Sequence, residues 1–196
     1  RIGDATNPTL RWLYNLPVLQ KWRDYCKHQA EFNLDLLGPF QINKIKVKAK
    51  VFTSDKVDQS VKKYADKYLD PRNKNIVIFF GTGGTNYPIP ETAVLEFIDL
   101  VTQNNKFNVL LCGQIEGNNG ISNFEKRNVR NLLNKTTLEE LVSFIKFADY
   151  YIGPDTGPTH IAAFLNKPMV FFSPIKPNPP TRWGPYSDYF KIIRKD

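Results

Sequence analysis

From residue 76 onward the sequence predicts an α/β fold, a Rossmann-like parallel sheet with helices on both faces. Short all-apolar runs, IVIFF (76–80), NVLLC (108–112) and MVFF (169–172), have the composition of strands buried on both faces. Amphipathic helical patterns separate them, and strand–helix alternation of this kind builds a parallel sheet. Glycine-rich loops follow the first two runs and the strand YYI (150–152), at the carboxyl strand ends where such sheets bind ligands.

Taken in order, residues 24–37 read as a helix closed by Gly38-Pro39. KIKVKAK (44–50) alternates lysine with Ile, Val and Ala, the period of a strand with one basic face. Its plainer reading is an edge strand protected by lysines; the other is attraction to an anionic membrane or a phosphorylated substrate. Residues 55–69 predict a helix with Val57, Val61, Tyr64, Ala65 and Tyr68 on one face. Pro90 opens a helix over 90–101, and a further helix is expected over 124–133. Thr137 with Glu140 forms a capping box for the helix that follows. After YYI, residues 161–165 are helical, MVFF is a strand, and YFKII (189–193) is the last strand beyond a proline-dense loop.

With 196 residues, 41% of them hydrophobic, the chain suffices for one large domain or one domain plus part of another. No apolar run approaches the roughly 18 residues needed to span a bilayer. Cys26 and Cys112 are far apart and in no metal-type spacing, and Cys112 lies in an apolar run as a buried free thiol would. A reducing, cytoplasmic setting is expected. The net charge of +8 is concentrated early: residues 1–75 hold 15 Lys/Arg against 8 Asp/Glu, so the two parts present different surfaces.

Three strand-end loops carry the chemistry. In GTGGTNYP (81–88), the glycines let the backbone approach a ligand, and Thr82, Gly83 and Thr85 suit an anion cradle as well as a plain flexible turn. The loop is neither a Walker A sequence nor a G-x-G-x-x-G fingerprint. In GQIEG (113–117), Gln114 and Glu116 can accept hydrogen bonds from a ribose or be simply solvated. In GPDTGPTH (153–160), Asp155 or Thr156 can cap a helix whose free amides and positive dipole end favour a phosphate, with Gly157 and His160 in the same turn. A hydrolase triad would need a nucleophile elbow that is absent. A zinc site needs at least three donors, and His28 is the only other histidine. A helix terminus that binds a ligand, or an ordinary capping Asp with a structural His, remain.

The run ADYYIGPDTGPTHIAAFLNKPMVFFSPIKP, followed by WGPY, resembles the signature of the ADP-heptose:lipopolysaccharide heptosyltransferases, glycosyltransferase family 9. NKTTLEELVSFIKFADYYIG resembles the segment just before it, and RIG (1–3) and HQAEFNLDLL (28–37) resemble the end of that family's N-terminal domain. The resemblance implies a GT-B enzyme. Residues 1–50 would be the end of the N-terminal (acceptor) domain and a linker, and 51–196 the C-terminal domain that binds the nucleotide-sugar donor. Transfer would invert the anomeric centre without a metal or cofactor, taking heptose from ADP-heptose to a phosphorylated lipid A–core oligosaccharide. The setting would be cytoplasmic, with peripheral inner-membrane contact and no nucleic acid. By position, Asp155, Thr156 and Gly157 would hold the diphosphate with His160 beside them. Thr82 and Gly83 would match a phosphate loop, and Glu116 with Gln114 would face the nucleoside. The base is expected in sequence before Arg1, so no catalytic residue is assigned. TNYPIP departs from the family pattern, with Tyr87 and Ile89 where Lys and Trp would fall. That leaves open another nucleotide sugar, or a degenerate nucleotide-binding module without activity.

Overall fold

The computed structural model describes residues 1–21, 27–42, 50–81, 90–115, 120–124, 126–173 and 179–194. The predicted KIKVKAK strand and the start of the first predicted helix lie outside these residues. Two short strands, β1 (Ile2–Asp4) and β2 (Leu16–Val18), pair in parallel as a separate two-stranded sheet. Helix α1 (Gln29–Asp35) begins five residues later than the pattern suggested, because His28 caps it. The His28 Nδ1 accepts from the Ala30 amide and Glu31 returns a bond to the His28 amide, a capping box.

The main body is a six-stranded, all-parallel sheet. Its strands are β3 (Lys74–Phe79), β4 (Phe107–Cys112), β5 (Val129–Asn131), β6 (Tyr150–Pro154), β7 (Met169–Phe172) and β8 (Phe190–Ile193), in the order β5-β4-β3-β6-β7-β8. Helices α2 (Asp55–Tyr68), α3 (Glu91–Thr102), α4 (Leu138–Phe147), α5 (Gly157–Phe164) and the short α6 (Pro180–Trp183), with three 3-10 turns (Pro8–Leu13, Gly38–Phe40 and Gly120–Asn123), complete the described elements. The Rossmann-like parallel sheet with helices on both faces that the strand–helix alternation predicts is thus present, in a doubly wound order. It reverses direction at β3, so the crevice at the carboxyl ends of β3 and β6 is the topological switch point.

The period of two along the central strands sends side chains to two cores. Val77, Leu110, Cys112 and Tyr151 meet α2, α4 and α5 on one face, and Ile76, Ile78, Val109, Leu111 and Ile152 meet α3 on the other. Cys112 is fully buried, and burial pushes its thiol up to about 12, so it is an inert core residue. Thr137 and Glu140 form the expected reciprocal cap of α4.

The helix expected over 124–133 is not formed by the described residues 126–133. They form a tight turn and the three-residue edge strand β5, paired with β4 through Val109↔Val129, Leu110↔Arg130 and Leu111↔Asn131. The Asn131 amide donates to the carbonyls of Ile121 and Ser122, which folds the preceding loop back onto the strand. Helix α5 starts at Gly157, with Thr156 as its N-cap residue and Pro158 in its first turn, so the helical stretch read at 161–165 extends back to the expected cap.

Helices α2 and α4 are tied by Asp58, which accepts from Ser143 at 2.7 Å and Thr53 at 2.7 Å and pairs with Lys146. The Lys146 ammonium, then the two hydroxyls, hold the Asp58 carboxyl down at about 2. A depressed carboxylate contributes stability that is complete above its ordinary range, near 3.8, and lost as pH falls toward 2. Asp58→Asn is therefore expected to cost about 1–2 kcal/mol at neutral pH. It should also flatten the loss of stability between pH 4 and pH 2, as read by urea unfolding at stepped pH. A variant that keeps the wild-type acid slope would contradict this account.

Candidate functional site

The carboxyl edge at the switch point is built from two kinds of backbone. Strands β3 and β4 end in glycines with positive φ, Gly81 at 130° and Gly113 at 135°, a conformation open to glycine at no steric cost. They also sit where the two chains nearly touch. A Cβ on Gly113 would lie 1.7 Å from the Phe80 carbonyl oxygen, and one on Gly81 would lie 2.5 Å from that of Gln114. Asn134, at φ 58°, then clamps the loop after β4. Its amide N–H donates to Gly113 O at 2.9 Å, and its side chain bonds both the N–H and the C=O of Ile115 at 3.0 Å. Gln114 has its side chain in solvent beside Gly81.

Strand β6 delivers the second component. Its Tyr151 is fully buried and reaches along the strand over Gly153, where a Cβ would fall 2.5 Å from the phenol oxygen. Thr159 Oγ1 donates to the Pro154 carbonyl, so the Tyr151 hydroxyl, 3.0 Å away, donates to Thr159. Burial raises the Tyr151 phenol well above its ordinary range, so it stays a neutral donor. This relay fixes the first turn of α5 against the end of β6.

That rigid turn carries the predicted residues Asp155, Thr156, Gly157 and His160 together. Thr156 is the N-cap, but it gives no side-chain cap; its hydroxyl turns back toward the Pro154 carbonyl at 3.4 Å. The expected capping by Thr156 is therefore replaced by backbone alone, and the Gly157 amide donates to no acceptor among the described residues. Nothing stands within 4 Å of the position a Gly157 Cβ would take. His160 Nε2 lies 3.7 Å from Asp155 Oδ1. That separation is too long for a hydrogen bond, so the two are electrostatic neighbours rather than a proton relay. Asp155 is 11% exposed and His160 37%, which leaves the imidazole open to a ligand at the helix end.

Thr82, Gly83 and Glu116 lie outside the described residues; the structure fixes only where their loops leave the sheet. Among the described residues no group of three or more His, Cys, Asp or Glu is placed to hold a metal ion, and no helix is long and apolar enough to cross a membrane. Thr159 and Tyr151, which set the geometry of the turn, carry no periodicity or motif signal that would single them out in the sequence.

A second assembly joins the start of the chain to its end. His28 Nε2–H donates to the Gly184 carbonyl at 2.9 Å, and its ring lies 4.7 Å from that of Tyr186. Arg182 is buried between the rings of Phe32 and Trp183 and donates to Gln29 Oε1 at 3.0 Å. The WGPY segment is thereby a dock for α1.

Sheet order, paired glycine exits and a helix end without a side-chain cap define a Rossmann-like unit with its strand-end loops gathered at the switch point. The model of glycosyltransferase family 9 (heptosyltransferase) matches residues 14–196, and the chain belongs to that family. Lipopolysaccharide heptosyltransferase 1 of Campylobacter coli is 30% identical over 125 residues, 58% of this chain and 36% of that protein. Lipopolysaccharide core heptosyltransferase OpsX of Haemophilus influenzae is 24% identical over 145 residues, covering 70% of this chain and 40% of that protein. Among solved structures, a family 9 glycosyl transferase from Veillonella parvula superposes with a TM-score of 0.77 at 14% identity, over 95% of this chain and 54% of that one. The E. coli heptosyltransferase WaaC, solved with ADP, gives 0.62 at 18% identity over 96% and 56%. These likenesses establish a GT-B glycosyltransferase fold. The chain spans about half the length of the solved structures and less of the curated relatives.

Proposed function

We propose that this chain is the donor-binding part of an inverting heptosyltransferase that takes heptose from ADP-heptose to the lipopolysaccharide inner core. The observation that carries this reading is the first turn of α5, with its open Gly157 amide and His160, held at the switch point beside the exit of β3. Inverting transfer requires a nucleoside diphosphate leaving group stabilised by preorganised donors that do not reorganise during reaction. A helix terminus on a rigid strand end supplies such donors. In this reading Thr156 and Gly157 face the diphosphate, His160 adds a ring N–H, and Asp155 stands beside the imidazole as an electrostatic neighbour. Thr82 and Gly83 would line the opposite side, and Gln114 and Glu116 the nucleoside. The base that deprotonates the acceptor hydroxyl would come from the acceptor-domain part of the full protein. Residues 1–50 would be the end of that part and 51–196 the donor domain, peripheral to the inner membrane at its cytoplasmic side.

Isothermal titration with ADP and ADP-heptose tests the reading. Binding to the wild type is expected, with affinity reduced about tenfold, roughly 1.4 kcal/mol, by His160→Ala and by Asp155→Ala. An absence of affinity for either ligand would remove the proposal. Tyr87 and Ile89, where the family pattern has Lys and Trp, favour one alternative, a different nucleotide sugar. A donor panel scored by thermal shift separates the two, the largest stabilisation marking the true donor.

A further inference from the structure

Away from the switch point, along the outer edge of β5 and against α2, lies a cleft of about 600 Å³. Tyr64, Tyr68, Lys126, Arg127, Arg130 and Lys135 line it. Its volume falls within the range of small-molecule sites and exceeds what a single inorganic anion needs. The charge inside is one-sided. Lys126 faces Asp99 at 2.7 Å, whereas Arg127, Arg130 and Lys135 have no carboxylate within ion-pair distance among the described residues. Asp70, whose field is felt by Arg127, is itself held by Arg72.

Two of these cations, Arg130 and Lys135, are also fixed in place. Arg130 donates to the Tyr68 carbonyl through Nε and Nη2, at 3.0 and 2.6 Å, and through Nη1 to the carbonyls of Arg127 and Val129. Lys135 donates to the Asn131 carbonyl at 3.0 Å. All of these acceptors are neutral, so the positive charge is oriented without being neutralised. Beside them the cleft is aromatic: Tyr64 and Tyr68 lie 4.7 Å apart, and Tyr68, with Arg130 at 6.0 Å and Lys67 at 4.9 Å from its ring, is still 41% exposed. Fixed cations beside a half-open tyrosine suit a ligand with a phosphate at one end and a hydroxyl-bearing ring at the other.

We propose that this cleft is a second ligand site that takes a phosphorylated sugar, free or carried as a headgroup. It is separate from the α5 edge: β5 lies three strand spacings from β6, about 14 Å across the sheet. The assignment stands whether or not the α5 turn binds a nucleotide sugar.

Titration of the full chain with glucose 6-phosphate, glucose and inorganic phosphate at about 150 mM salt tests it, since surface attraction alone is screened there. Saturable binding of glucose 6-phosphate is expected, with glucose inactive and inorganic phosphate at least about tenfold weaker. Arg127→Ala, whose side chain makes no hydrogen bond among the described residues, and the double variant Arg127→Ala/Lys135→Ala should each weaken binding, the double by about tenfold or more. Unchanged melting temperatures establish that both remain folded, and Gly157→Val should leave glucose 6-phosphate binding unaltered. The proposal is overturned if wild type binds no glucose 6-phosphate or if the arginine and lysine variants bind as well as wild type. Loss of binding in Gly157→Val would equally overturn it, by placing the ligand at the α5 edge. Vesicles containing phosphatidylinositol 4-phosphate separate the sources, their capture beside glucose 6-phosphate binding showing that the headgroup form is also taken. Capture of phosphatidylglycerol vesicles, which carry no sugar ring, through Arg127 and Lys135 without binding of the free sugar phosphate would make the cleft a surface patch and overturn the proposal.

Discussion

Gly113→Ala is expected to destabilise the chain by roughly 3 kcal/mol or more, among the largest effects of any single methyl group in this molecule. Two costs coincide. The residue has φ 135°, which L side chains rarely adopt, and the added Cβ would lie 1.7 Å from the Phe80 carbonyl oxygen. That oxygen is backbone, and Phe80 is held in the sheet by donating its N–H to Cys112 O at 2.7 Å. Relief therefore requires β3 and β4 to separate at their ends. For a chain of this size the expected fall in melting temperature is about 6–12 °C. Chemical denaturation checks the same figure, and a loss below 1 kcal/mol would show that the strand ends yield easily.

Gly157→Val is expected to do the reverse. The position has ordinary φ and open space where a side chain would go, so the fold has no steric need for glycine there. Melting should stay within about 2 °C of wild type, under 1 kcal/mol. If the proposed diphosphate approaches the Gly157 amide, the isopropyl group stands in its path, and ADP affinity should fall by about a hundredfold, or 2.7 kcal/mol. Calorimetry on the folded variant reads this directly. Unchanged ADP affinity would move the phosphate away from α5. The pair of glycines separates what the backbone requires from what a ligand requires, by adding apolar carbon at a strand exit in one case and at a helix start in the other.

The central strands are legible in the sequence because β3 and β4 are buried on both faces and so are apolar at nearly every position. The fourth helix is legible through its reciprocal Thr137–Glu140 cap. β5 escapes such reading for a physical reason: a three-residue edge strand has no period to detect. Its Arg130 and Asn131 are polar because one closes the end of α2 and the other holds a loop. β1 and β2 are equally short and contain Gly3 and Pro17. At the candidate site, the strand–turn–helix punctuation makes 155–160 stand out, yet the 3.7 Å gap between Asp155 and His160 is a matter of packing. Nothing local specifies it; it follows from Tyr151 and Thr159 bracing the turn. The basic cleft is less legible still, since Tyr64 and Tyr68 are some sixty residues from Arg127 and Arg130 and meet them only once α2 lies beside β5.

The dock between α1 and WGPY has a consequence for how the molecule is made. Its bonds join residues 153 to 156 positions apart, Gln29 to Arg182 and His28 to Gly184. At ordinary ribosomal speeds, α1 therefore emerges roughly 8–30 s before its partner exists. During that interval the buried face of Phe32 has nothing from the far end to rest on. Strands β3 to β7 can pair in the meantime, whereas β8 follows the WGPY segment, and α1, made long before its partner, is among the last pieces to find its place.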